Sequence, residues 1–149
     1  MADKLQFELV SPEKLLLSEA VGMVIVPGTE GNFGVLPGHA LFISTVRPGV
    51  IDVYEDKTVT QQIFVSGGFA EVTAERCTVL ADEAMPVASL DRPVIDSQLK
   101  TAESTVAGLK DQVARAAGAE RDELALRLKS AERQLAVAVA KLAALGAVH

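Results

Sequence analysis

Tryptophan is absent from this chain of 149 residues, and cysteine occurs once, at Cys77. A lone cysteine excludes an internal disulfide and fits a reducing compartment. As a nucleophile it would need a neighbouring base. Its surroundings (Glu75, Arg76, Thr78, Val79, Leu80) read as an ordinary strand, so a buried structural thiol is expected. Histidine is nearly as scarce, at His39 and His149. Two histidines and one cysteine far apart in sequence give no cluster with zinc or iron spacing, and no nucleophile elbow or sequence-local carboxylate pair accompanies them. No catalytic residue, metal ligand or cofactor is therefore expected.

Positive charge is also short: 14 Lys and Arg against 20 Asp and Glu leave a net charge of −6. Nonspecific nucleic-acid binding and docking on anionic lipid both rest on clustered basic residues, so the charge argues against both. No apolar run approaches the roughly 20 residues of a spanning helix. The N-terminus MADKLQFELVSPEK has neither a secretory pattern nor an Arg- and Ser-rich import pattern. Any membrane association is expected to be indirect, through a protein partner.

What the chain does have is short alternating apolar segments, with turn signals every eight to twelve or so residues. Lys4 to Val10 alternates cleanly, Ser11-Pro12-Glu13 breaks it, and Leu15 to Leu17 and Ala20 to Val26 follow, the latter with Val21, Met23 and Ile25 expected on one face. Val50 to Tyr54, Thr58 to Val65, Phe69 to Thr73, Arg76 to Ala81 and Ala84 to Val87 complete the set. Glu55-Asp56-Lys57 reads as a hairpin turn, and Ser66-Gly67-Gly68 as a tight connection that needs a positive φ. The stretch Gly28 to Gly49 is the most distinctive, with Gly28, Gly31, Gly34, Pro37, Gly38, Pro48 and Gly49 set among apolar residues; it reads as strand connections around His39. Glycines 28, 31 and 34 invite a phosphate-loop reading, but no Gly-Lys-Ser/Thr follows and no helix start lies behind them.

Composition changes past Ser89: no Phe, Tyr or Trp recurs and alanine dominates. Asp91 suits an N-cap and Pro93 a first turn. Ile95, Leu99, Ala102, Val106, Leu109 and Val113 form one helical stripe, and Leu124, Leu128, Ala131, Leu135, Ala138, Leu142 and Leu145 form a second, joined through Ala116-Ala117-Gly118. The expectation is an α+β chain: an N-terminal antiparallel β-sandwich over residues 1–88, then a C-terminal antiparallel αα-hairpin over 89–149. The acidity belongs to the first part, with 12 acidic and 5 basic residues against 8 and 9 in the second.

The run GNFGVLPGHA, the following RPG, then VSGGFAEV and VLADEA, resemble the epsilon subunit of the bacterial and chloroplast F-type rotary ATP synthase, with Gly34, Pro37, Gly38, His39, Gly49, Gly67, Gly68 and Glu71 in the family's places. The resemblance spans the whole chain. It implies a noncatalytic central-stalk subunit, bound to gamma and to the polar loops of the c-ring, on the cytoplasmic face of a bacterial inner membrane or on a thylakoid. The implied ring-facing segment is Glu30 to His39, with Glu30, Asn32 and His39 as contacts; Asn32 stands where the family often carries an acid, and Leu41 where a proline is common.

The resemblance further implies that the hairpin can extend into the alpha/beta catalytic head and inhibit hydrolysis. Arg121, Arg127, Lys129 and Arg133 are the candidate contacts, against the reading of a solvated face stabilised by i,i+4 pairs with Glu120, Asp122, Glu123 and Glu132. The family's nucleotide motif survives only as Ile95-Asp96: Leu99 stands for its arginine and Lys100 for its alanine, so weak or absent ATP binding is expected. The alternative class is a free-standing β-domain adaptor whose helical hairpin binds a client.

Overall fold

The computed structural model describes residues 4–146. They form two compact units, 4–90 and 91–146. The first holds ten strands: β1 Leu5–Val10, β2 Leu15–Val21, β3 Met23–Gly28, β4 Gly31–Val35, β5 Phe42–Val46, β6 Gly49–Glu55, β7 Thr58–Val65, β8 Gly68–Val72, β9 Arg76–Ala81 and β10 Ala84–Pro86. They hydrogen-bond in the order β10-β7-β6-β3-β5-β8-β9-β1-β2, with β4 paired to β3. The network folds over a core built from alternate positions: Leu5, Phe7 and Leu9 of β1, Val24 and Val26 of β3, Ile51 and Val53 of β6, Val72 of β8 and Val79 of β9 are all buried. Each larger side chain so removed from water contributes about 1.5–3 kcal/mol.

The expected sandwich is present, with one departure from a fully antiparallel arrangement. β1 runs parallel to β9, Phe7 beside Cys77 and Leu9 beside Val79. A parallel neighbour needs a long crossover, and strands β2 to β8 supply it. Two further expectations change. Val21 does not share a face with Met23 and Ile25: Val21 is buried with Val24 and Val26, while Met23 and Ile25 are half-buried. The alternation restarts at Gly22, which leaves the strand and donates its N–H to the Tyr54 carbonyl at 2.9 Å. The Gly28–Gly49 stretch is more than connections, since β4 and β5 lie inside it.

The tight connection before β8 is as expected. Gly67 and Gly68 take φ values of 123° and 144°, and a Cβ on Gly68 would sit 1.8 Å from the Leu80 carbonyl oxygen. Asp56, at φ 54°, turns the β6–β7 hairpin.

A short 3₁₀ turn, Val87–Ser89, closes the first unit. The second is α1 Arg92–Arg115 and α2 Gly118–Gly146, which pack on one another. Asp91 occupies the N-cap position, although its side chain makes no capping bond. The apolar stripes fall where expected: Ile95, Ala102 and Val106 are buried on α1, Ala131 and Ala138 on α2, and Leu99, Leu109, Leu124, Leu128, Leu135 and Leu142 are half-buried. His149 lies outside the described residues.

Candidate functional site

The β3–β4 hairpin ends in a two-residue tip. Gly28 pairs with Gly31, leaving Thr29 and Glu30 to turn the chain. The tip and β3 are held to the end of β5. The Thr29 N–H donates to the Thr45 carbonyl at 3.1 Å, the two threonine hydroxyls meet at 2.6 Å, and the Arg47 N–H donates to the Pro27 carbonyl at 2.9 Å. The Arg47 guanidinium completes the clamp. It donates to the Gly28 carbonyl at 2.6 Å and to Asn32 Oδ1 at 2.7 Å, tying the β5–β6 connection to β3 and β4 together. Glu30 is exposed at the tip. The glycines of this stretch are strand and turn positions, and no helix N-terminus stands behind them.

Of the three residues read as ring contacts, Glu30 and Asn32 share this tip. His39 does not. The five residues of β4 separate it from Glu30, about 17 Å of extended chain. His39 belongs to the turn after β4, where its N–H donates to the Leu36 carbonyl at 3.1 Å and the Gly38 N–H donates to the Ala74 carbonyl at 2.7 Å. Its ring Nδ1–H donates to the Ala40 carbonyl at 2.7 Å, and the ring sits 6.3 Å from that of Phe42. Phe42 in turn meets Phe33 edge-on at 5.1 Å. The half-buried imidazole thus satisfies a backbone carbonyl and keeps only Nε2 for an outside partner.

Register reveals a surface that the linear sequence hides. Thr45 lies beside Phe69, Phe69 beside Leu80, Leu80 beside Val10 and Val10 beside Leu15. This row crosses the outer face of five strands. Phe69, Leu80 and Leu15 are 56%, 52% and 55% exposed, and Ile43 and Leu41 reach 67% and 77%. Past Ile43 the next row is polar: Glu71 faces Ile43 and Thr78, and Glu8 accepts from Thr78 Oγ1 at 3.4 Å and from the Arg76 guanidinium at 3.3 Å. An apolar row with such a rim is the anatomy of a protein-docking surface.

The remaining candidates divide. Arg121, Arg127, Lys129 and Arg133 are all exposed on α2. Arg127 pairs with Glu123 at 2.8 Å, four residues earlier, as Arg115 pairs with Asp111 at 3.2 Å on α1. Ile95 is buried on the α1 stripe, so of the Ile95-Asp96 remnant only Asp96 faces outward. Cys77 is fully buried, and burial pushes its thiol up to about 12, which keeps it protonated and unreactive. No group of three or more His, Cys, Asp or Glu side chains is placed to hold a metal ion among the described residues. No helix among them is long and apolar enough to cross a membrane.

Two residues that matter here escaped sequence reasoning. Arg47 appears only as part of an RPG turn, and nothing linear ties it to Gly28 or Asn32, which lie 19 and 15 residues earlier. Phe69 has the look of a core aromatic; its outward direction follows from Gly68, whose pairing with both Val46 and Ala81 sets the register of β8.

Residues 4–87 match the family described as ATP synthase, Delta/Epsilon chain, beta-sandwich domain. The chain is 49% identical over 133 residues to the ATP synthase epsilon chain of Rhodospirillum rubrum, covering 89% of this chain and 99% of that one. It is 53% identical over 138 residues to the epsilon chain of Rhodospirillum centenum, covering 91% and 92%. Among solved structures, it is similar in fold to a chain of the Euglena gracilis mitochondrial ATP synthase, OSCP/F1/c-ring in rotational state 1, with a TM-score of 0.74 and 23% identity over 97% of this chain and 83% of that one.

Proposed function

The chain belongs to the ATP synthase epsilon-chain family, noncatalytic subunits of that complex, and from that premise we propose that it is the rotor subunit that joins gamma to the c-ring. The observation that carries this reading is the exposed apolar row of Leu15, Leu80 and Phe69 beside Ile43. A stable surface of this kind gains from burial against a protein partner. Gamma is the occupant assigned to it. The polar β3–β4 tip, with Glu30 and Asn32, meets the polar ring loops. His39, beyond the far end of β4 and beside Leu41 and Phe42, goes to the gamma side rather than to the ring. Association with the cytoplasmic face of the bacterial membrane is then indirect, through the complex.

The test uses the full chain and purified gamma. Phe69→Glu together with Leu80→Glu places two carboxylates on the docking face at positions already exposed to water. The expected result is loss of gamma binding by at least about tenfold with the unfolding midpoint nearly unchanged. Undiminished binding contradicts the assignment.

The hairpin has a second role in this reading. Arg121, Lys129 and Arg133 are exposed cations on α2, suited to acidic surface on the catalytic head, and the hairpin restrains ATP hydrolysis there. Removing residues 89–149 from the assembled enzyme is expected to raise its hydrolysis rate; an unchanged rate refutes the role. ATP itself binds weakly or not at all, because Leu99 offers no phosphate-chelating guanidinium. Micromolar affinity by calorimetry would overturn that statement.

A further inference from the structure

Arg47 is half-exposed at the tip, and the acceptors it bonds there are a carbonyl and an amide, both neutral. A guanidinium carries five N–H donors and a full positive charge, while its bonds to the Gly28 carbonyl and Asn32 Oδ1 neutralise none of that charge. Asn32 is changed in turn. Its Oδ1 accepts from Arg47, which orients the amide with its Nδ2 donors directed away from the guanidinium. Around positions 32 and 47 the tip is therefore a donor surface with positive charge, and the only carboxylate on the tip is that of Glu30.

We infer that Arg47 is a positioning residue that makes this tip a mixed-charge reader: a donor face at Asn32 and Arg47 beside an acceptor at Glu30, fitted to a partner loop that carries a carboxylate or free carbonyl next to a cation. The inference rests on the ring-facing assignment of the tip made above and specifies the chemistry of that contact. A carboxylate at position 32 takes up the charge of Arg47 within the tip and converts the same edge to an acidic one. Side-chain chemistry at position 32 thus acts through Arg47 to set which loops the tip accepts. Arg47 also holds three strands at the tip, so Asn32 and Glu30 are presented without further ordering on binding.

The test is rebinding of the full chain to membranes stripped of it but still carrying ring and gamma, measured over a series of salt concentrations for Arg47→Ala, Arg47→Lys and Asn32→Asp. Urea unfolding of each variant reports stability separately. Arg47→Ala is expected to weaken rebinding about tenfold and to flatten its salt dependence, because a charge at the rim of an interface acts through the salt-sensitive part of association. Arg47→Lys keeps the salt dependence and recovers part of the affinity, since an ammonium supplies the charge without the two-armed reach.

Asn32→Asp separates this role from a merely structural one. It strengthens the clamp and so preserves or raises stability, yet it is expected to weaken rebinding and flatten the salt dependence as Arg47→Ala does. Rebinding of Asn32→Asp at the affinity of the unmodified chain overturns the inference alone. If the unmodified chain binds isolated gamma in solution as tightly as it rebinds to the membranes that carry ring and gamma, the ring-facing assignment falls, and this inference falls with it.

Discussion

At the scale of single residues, the β unit depends on positions where backbone or burial leaves no freedom. Cys77 sits between Phe7 and Val72 in the sheet. Burial raises its thiol from an ordinary 9.0 to about 12. The folded state therefore holds a proton that the unfolded chain releases near pH 9, so this contribution is complete below about pH 9 and is lost as pH rises towards 12. The urea midpoint is expected to hold through neutral pH and to fall above about pH 9, and Cys77→Ala should remove part of that fall. Alkylation of the native chain by iodoacetamide at pH 8 should be far slower than in urea; equal rates would contradict the buried assignment. Gly68→Ala meets both a φ of 144° and the Leu80 carbonyl oxygen. Its expected cost is about 3 kcal/mol or more, read from urea unfolding. The need for positive φ at Gly67-Gly68 was legible from the glycine pair. The approach to Leu80 was not, because it depends on how β8 and β9 register.

At the scale of elements, the helices were the most legible part. Each carries a continuous apolar stripe at helical spacing, and every residue of both stripes is buried or half-buried, although on α2 Ala144 is buried outside its stripe. Gly108 is the weak point of α1, since it is exposed and a Cβ there meets nothing within 4 Å. Gly108→Ala is expected to stabilise the hairpin by about 1 kcal/mol, seen as a higher midpoint in thermal circular dichroism. A lowered midpoint would mean that the exposed face is in contact with something in solution. Strands were harder to read. Gly31 and Gly34 carry no side chain to alternate, so β4 was hidden among turn residues. The break at Gly22 shifted the apolar phase by one, which turned Val21 onto the face of Val24 rather than that of Met23. The Arg47 clamp was invisible for a related reason: it is a cross-strand contact, and sequence spacing carries no record of which strands become neighbours.

At the scale of the molecule, the β unit presents two different surfaces. One is the apolar row of Leu15, Leu80 and Phe69, whose residues read as core material until the sheet register turns them outward. The other is the polar tip of Glu30 and Asn32 held by Arg47. Two chemically distinct surfaces on one rigid sheet suit a subunit that couples two partners. The family and the order of the two units were legible in the sequence; the ring-facing segment read there, with Glu30, Asn32 and His39, turns out to contain a whole strand, β4, between Glu30 and His39. The most direct test is site-specific crosslinking in membranes from a cysteine placed at position 30, aided by the unreactive state of the buried Cys77. The account predicts a product containing the c subunit, while a cysteine at position 69 or 39 in the same membranes yields a product with gamma. A product from position 30 that contains gamma and never the c subunit would contradict it.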